Sequence, residues 1–191
     1  MSNVWSSAIR MLAVLTFLTG LAYPVAVTLA ARVVAPHAAG GSLLRKGDVV
    51  VGSDLLAQAF HDPRYFRARP SASEWGAVPS GAGNQGPASA TLRAQADERA
   101  AALRAEHGLA SDAVVPPELL AASGSGLDPH LSPQAVEFQA GRVAEARGLP
   151  RDFVMGLVRE HTEPPAGGWL GSARVNVLQL NMALDRVQPS P

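Results

Sequence analysis

Cysteine is absent from all 191 residues, which excludes disulfide staples, thiolate metal sites and a cysteine nucleophile, and with them thiol redox chemistry. A charge excess of either sign is also missing, with 16 basic residues against 16 acidic. No long-range field is therefore present to gather nucleic acid, and nucleic acid is not an expected partner. Neither a G-x-x-x-x-G-K-[ST] loop nor a G-x-G-x-x-G turn after a strand occurs, so nucleotide hydrolysis by this chain is not expected. The five histidines, His37, His61, His107, His130 and His161, show no H-E-x-x-H or comparable ligand spacing. They read as surface or capping groups, and no metal is expected.

What the chain does have is one long uncharged run. Met11 to Ala31, MLAVLTFLTGLAYPVAVTLAA, is free of charge between Arg10 and Arg32, and about 21 residues rising ~1.5 Å each cross ~30 Å of hydrocarbon. A cleaved leader is the rival reading, but its apolar stretch usually spans only about 7–15 residues. The run predicts a retained transmembrane helix.

Within the run Ala22, Ala26 and Ala30 recur every fourth residue, and Thr16 and Gly20 keep the same spacing. A face of small side chains admits another helix closely, although alanine is also simply common here. Pro24 removes a backbone donor in mid-span, which lipid tolerates best where neighbouring protein re-satisfies the freed carbonyl. Arg10 precedes the helix while Arg32, Arg45 and Lys46 follow it, so a charge count alone would leave the larger domain in the cytoplasm. That rule is weak for a long translocated domain.

The remaining length suits one domain with a single core. The expected organisation is a short tail over 1–10, the membrane helix over 11–31, one soluble domain over 32–185 and a tail over 186–191.

In the soluble part, SLLRKGDVVVGS holds two short apolar runs about Lys46 and Gly47, a hairpin pattern. Ser53 can cap a short helix through Leu55, Leu56 and Phe60 that stops before Pro63. The stretch 61–87 carries four prolines and four glycines with no periodicity, so it predicts a long loop excursion of the functional kind. Ser89 to His107 predicts a helix with Leu92, Ala96, Leu103 and His107 near one face, closed by Gly108. Ser132 and Pro133 suit an N-cap and first helical position, opening a helix to about Arg147 with Val136, Ala140 and Val143 buried and Gly148 as its stop. Pro150 starts another helix, through Phe153, Val154, Leu157 and Val158 to Pro164 and Pro165, followed by a glycine turn at 167–168. At the end Val175 and Val177 suit a strand, while Asn176 can cap a helix through Leu180 and Leu184. Several helices and a small sheet make an α+β domain.

Two stretches invite chemistry. Ser125, Asp128 and His130 are the residue types of a hydrolase triad, which leaves a membrane-tethered hydrolase or a tethered binding module as alternative readings. However, the three residues lie within one tight turn, without the G-x-S-x-G context that exposes a nucleophile. Asp128 before Pro129 is then a turn former. The other stretch, YFRARPSA, sets Tyr65 and Phe66 among Arg64, Arg67 and Arg69. That composition suits a contact surface, and equally a core filled by rings with the arginines solvated.

The segments GLAYP, VVVGSDLLAQAF, YFRARPSA, SGAGNQGP, SGSGLDPHLSP and HTEPPAGGWLGSARVNVLQLNMALD, in this order, closely resemble the C subunit of the bacterial Kdp-type potassium-transporting ATPase. The likeness covers nearly the whole chain; only 109–119 and the tail after Asp185 look unconstrained. Small departures fall at Gly81 to Asn84, where the family favours Gly-Gly-Ser-Asn, and at Ser172 and Ala173, where it favours an acidic residue and proline.

The resemblance implies a non-catalytic accessory subunit of a high-affinity potassium uptake complex. Its partners would be a channel-like potassium-binding subunit, a P-type ATPase subunit and a small helical subunit, besides membrane lipid. The chain would sit in the bacterial inner membrane with its domain on the periplasmic side, overriding the charge count. ATP and potassium would be handled by the complex, with no cofactor held firmly by this chain. It would act as a catalytic chaperone that raises ATP affinity of the ATPase subunit. The interface candidates are Gly20, Ala22, Ala26 and Ala30 in the helix, Tyr65, Phe66, Arg67 and Arg69 as docking contacts, and Asp128, His130, Arg174, Asn176 and Asn181 as turn-forming or interface polar groups.

Overall fold

A computed structural model describes residues 2–187; of the expected C-terminal tail, positions 188–191 lie outside the described residues. The chain forms two compact units, Met1–Val51 and Gly52–Pro191.

The first unit is dominated by one continuous apolar helix. It comprises α1 (Ser2–Phe17), a π-helical turn (Leu18–Ala22) and α2 (Tyr23–Val34), and its apolar span, Asn3–Val34, has 32 residues. At ~1.5 Å per residue this is about 48 Å, longer than ~30 Å of hydrocarbon. Neither Arg10 nor Arg32 ends the helix, because arginine is a good helix former whose long stem lets its charge reach the interface. Pro24 explains the π turn. In an α-helix its ring would collide with the carbonyl of residue 20; here the Tyr23 N–H instead donates to the carbonyl of Leu18, five residues back. The wider turn is a local adjustment that tolerates proline within a span. A single turn of helix, α3 (Pro36–Ala39), leads to strands β1 (Leu43–Lys46) and β2 (Val49–Ser53), which pair as a two-stranded sheet about the turn at Gly47 and Asp48.

The second unit is α+β. Helix α4 (Ala90–Glu106) starts where the Ser89 side chain accepts from the Leu92 N–H at 3.3 Å. A 3-10 turn (Pro117–Leu119) occupies the stretch whose sequence looked unconstrained. Helix α5 (Pro133–Arg147) begins at an N-cap in which Ser132 accepts from the Ala135 N–H at 3.2 Å, and ends at Gly148 in the left-handed region, φ 62°. Helices α6 (Arg151–Glu160) and α7 (Val177–Val187) complete the set. A three-stranded antiparallel sheet joins β3 (His130–Leu131), β5 (Arg174–Asn176) and β4 (Thr162–Glu163) in that spatial order. Its register sets Leu131 and Thr162 on either side of Val175.

The core collects Phe66, Leu131, Val136, Val143, Val154, Val158, Val175, Leu180 and Leu184, each 2% exposed or less. Burying each such side chain contributes roughly 1.5–3 kcal/mol.

Two local expectations are corrected. No helix follows Ser53. Its Oγ accepts from the Leu55 N–H at 3.1 Å and closes a turn, and the Ala57 N–H is then taken by the distant Leu127 carbonyl at 2.9 Å. Helix α6 stops at Glu160 rather than running to Pro164, because pairing with β5 draws Thr162 and Glu163 into the sheet. At the C-terminus strand and helix both form in succession. The Asn176 Oδ1 accepts from the Leu178 and Gln179 N–H groups at 3.1 and 3.2 Å, so one residue ends β5 and caps α7.

Candidate functional site

The aperiodic segment 61–76 contains no regular element. Its backbone groups, once removed from water, need partners, and side chains of α5 and α7 supply them in succession. Arg142 donates to the carbonyls of Pro63 and Tyr65. The Arg147 Nε donates to the Arg64 carbonyl at 2.7 Å. Asn181 accepts from the Phe66 N–H and donates to the Phe66 carbonyl, both at 2.9 Å. Gln139 does the same for Arg67, accepting at 2.9 Å and donating at 3.0 Å. The two carboxamides thus mimic adjacent strands, and an irregular loop is held as firmly as a sheet edge.

Charges complete the clamp. Arg147, whose side chain is 3% exposed, pairs with Asp185 at 2.9 Å. The second Asp185 oxygen accepts from the Tyr65 hydroxyl at 3.1 Å, and the guanidinium carbon lies 4.9 Å from the Tyr65 ring centroid. Arg67 pairs with Glu106 of α4 at 2.9 Å, and Arg142 approaches the other Glu106 oxygen at 3.5 Å. Arg69 reaches Asp128 at 3.4 Å. Hydrogen bonds from Arg64 hold the Asp62 carboxyl below the usual carboxylate range.

The expected interface residues therefore fall into distinct settings. Phe66 has no exposed surface, so its ring belongs to the core while Arg67 and Arg69 keep roughly a third of their side chains in solvent (35% and 27%). Tyr65 is half-buried beside Arg147. Asn176 and Asn181 are buried, 3% and 2% exposed, and spend their polar atoms inside the domain; Asn176 donates to the Asp54 carbonyl at 2.8 Å. Asp128 accepts from the His130 N–H at 3.1 Å in an Asx turn, and the His130 ring stands 3.8 Å from the same oxygen. Ser125 serves the same turn by accepting from the Leu127 N–H at 3.1 Å. Arg174 pairs with Glu163 across the β4–β5 ladder at 2.7 Å. In the other unit Gly20, Ala26 and Ala30 are exposed and Ala22 partly so.

The sequence reading missed Gln139, Arg142, Arg147 and Asp185. One signal for Gln139 was available: a polar residue on the α5 stripe of Val136, Ala140 and Val143 has to satisfy something. Among the described residues no group of three or more His, Cys, Asp or Glu side chains could hold a metal ion. The arrangement is a rigidly held, arginine-edged surface.

Comparison with known proteins gives the family. A family model described as "K+-transporting ATPase, c chain" matches residues 5–186. A relative from Cereibacter sphaeroides (strain KD131), named "Potassium-transporting ATPase KdpC subunit", is 51% identical over 178 residues, covering 93% of this chain and 94% of its own. One of the same name from Variovorax paradoxus is 49% identical over 188 residues, covering 97% of both chains. Another from Methylococcus capsulatus is 47% identical over 192 residues, covering 98% of this chain and 100% of its own. With near-complete coverage and about half of all positions shared, the chain belongs to the KdpC family, the c chain of the K+-transporting ATPase.

Proposed function

We propose that this chain is a non-catalytic accessory subunit that docks on, and stabilises, the other polypeptides of a potassium-uptake ATPase. It uses its apolar helix within the bilayer and its arginine-edged domain outside it. The observation that carries the reading is the family match over residues 5–186, on a chain that joins an exposed apolar helix of 32 residues to a domain of its own. Lone apolar helices with small side chains at Gly20, Ala22, Ala26 and Ala30 find their packing against other helices.

The partners are a channel-like potassium-binding subunit, a P-type ATPase subunit and a small helical subunit. The domain lies on the periplasmic side of the bacterial inner membrane. Potassium and ATP are bound by those partners, and this subunit acts as a catalytic chaperone, raising the affinity of the ATPase subunit for ATP from a distance through the assembled complex. Tyr65, Arg67, Arg69, His130 and Arg174 retain the surface through which the domain docks.

The test is purification of the full-length chain in mild detergent, with and without co-expressed partners. The expected result is stoichiometric copurification with the larger subunits and no ATP turnover by this chain alone. Robust turnover by the isolated chain would overturn the proposal, as would its recovery free of partners under conditions that keep the rest of the pump active.

A further inference from the structure

The hairpin of β1 and β2, as far as Val51, belongs to the same compact unit as the apolar helix. The chain between them is short and closed by hydrogen bonds. The Gly40 N–H donates to the Pro36 carbonyl, the Gly41 N–H to the Ala38 carbonyl and the Ser42 N–H to the His37 carbonyl, each at 3.0 Å. Ser42 is buried at φ 49°, so the join is fixed rather than loose. His37 lies three residues beyond Val34, and three residues span at most about 11 Å. A helix of 32 residues, about 48 Å, exceeds the ~40–45 Å of a bilayer with its headgroups. Its C-terminal end therefore reaches a headgroup layer, and β1 starts within that short distance of it.

The hairpin exposes apolar and basic side chains together. Leu43, Val49 and Val50 are 44%, 66% and 44% exposed. Val49 and Val50 are successive in β2 and so point to opposite faces, yet both are exposed, which makes the hairpin a finger free on either side. Beside them stand three exposed cations, Arg32 at the helix end and Arg45 and Lys46 in the hairpin, against one carboxylate, Asp48. The Arg45 Nη1 donates to the Asp48 carbonyl at 3.2 Å, bracing the turn and leaving the rest of the guanidinium to solvent.

Position and charge together select the occupant. An apolar pocket on a protein would take these cations out of water at a cost, and a rigid pocket would meet only one face of the finger. A headgroup layer wraps both faces and receives both kinds of side chain, apolar groups at the acyl boundary and lysine or arginine on the phosphates. The long basic stems let the charges stay at that level while neighbouring valines sink below it. We infer that the 43–51 hairpin lies in the headgroup layer beside its own membrane helix, with Arg45 and Lys46 binding the phosphates of anionic lipid. This rests on the reading that the apolar helix spans the bilayer, and it adds a second, lipid-selective contact to that anchor.

The absence of native cysteine gives a direct test. Val50→Cys makes that position the chain's only thiol, and a bimane fluorophore attached there reports contact with lipid. The full-length chain, without partners, is placed in vesicles in which a fixed fraction of phosphatidylcholine bears a nitroxide just below the headgroup. Vesicles otherwise of phosphatidylcholine are compared with vesicles enriched in phosphatidylglycerol. The expected result is quenching at least about threefold stronger with phosphatidylglycerol, falling to the phosphatidylcholine level when Arg45→Gln and Lys46→Gln are introduced together. Equal quenching in both vesicles, or quenching unmoved by the two substitutions, overturns the phosphate contact. No quenching in a chain that resists alkaline extraction overturns the interfacial hairpin and leaves the membrane helix standing. Release of the chain by alkaline extraction overturns both. Quenching of the chain alone that disappears in the purified complex overturns the proposal in favour of a partner subunit covering the hairpin.

Discussion

The Asn181 carboxamide bonds both backbone groups of Phe66 at 2.9 Å, across 115 residues of sequence. This is the join between the aperiodic segment and the C-terminal helix. Because Asn181 is 2% exposed and Phe66 fully buried, water does not replace the side chain once it is removed.

Asn181→Ala therefore strands a buried donor and a buried acceptor, each costing about 1–3 kcal/mol. Urea unfolding of the purified chain is expected to show a loss of about 2–5 kcal/mol, with the Phe66 amide exchanging its hydrogen much faster. Asn181→Asp keeps the acceptor and loses the donor, so its loss should be smaller for the Phe66 N–H than for the carbonyl side. Equal stability of Asn181→Ala and the unmodified chain would show that the contact is not formed.

Arg147 and Asp185 form a pair whose value depends on both members. Removing either leaves a charge shielded from water, and breaking such pairs typically costs about 3–5 kcal/mol. Arg147→Met and Asp185→Leu should each destabilise by that amount, while the double variant should recover part of it, because no lone charge is left although the Arg64 carbonyl and the Tyr65 hydroxyl lose their partners. A double-mutant cycle with no coupling would refute the arrangement.

His107 gives a pH dependence with a definite sign. Its ring lies against that of Phe138, with centroids 4.6 Å apart and the planes tilted by 45°, and its Nε2 is buried without a hydrogen-bond partner. Burial first, then the nearby Arg142 and Arg67 charges, hold it below the ordinary value of 6.5, while Glu106 opposes them. The folded state thus keeps the ring neutral and the unfolded chain takes up the proton first. Stability is fully present above about pH 6.5 and falls as the pH drops toward the lower folded value. His107→Phe, retaining the ring contact, should flatten that part of the stability profile between pH 7.5 and 5; an unchanged slope would exclude His107 as its source.

Arg67 and Arg69 separate folding from docking. Both pair internally and are partly solvated, so their ion pairs contribute only about 0–1 kcal/mol each to the fold. Replacing both with alanine should leave the unfolding midpoint nearly in place and reduce copurification with partner subunits several-fold, more so at low salt. Undiminished copurification at low and high salt would remove them from the docking surface.

Much of the helical content was legible because its signals are local. The uncharged run, Ser89, the Ser132–Pro133 start and the Gly148 stop act within one turn of the chain, and each did what its chemistry prescribes. Strands β3 and β4, two residues each, were not legible, since so short a strand exists only through its partner. The failed helix after Ser53 has the same cause: Leu127, 70 positions from Ala57, claims the backbone.

By itself the sequence determined the apolar span, the main helices, the turn at Asp128 and the family, all carried by neighbouring residues or by strings long enough to be distinctive. Tertiary structure alone decided that Phe66 fills the core while Arg67 keeps an edge in water, and that Gln139, Arg147 and Asn181 hold the aperiodic segment. Those outcomes depend on which side chains meet after chain reversals of 70 to 120 residues, where burial makes an unmet hydrogen bond expensive, and no periodicity along the chain encodes such meetings.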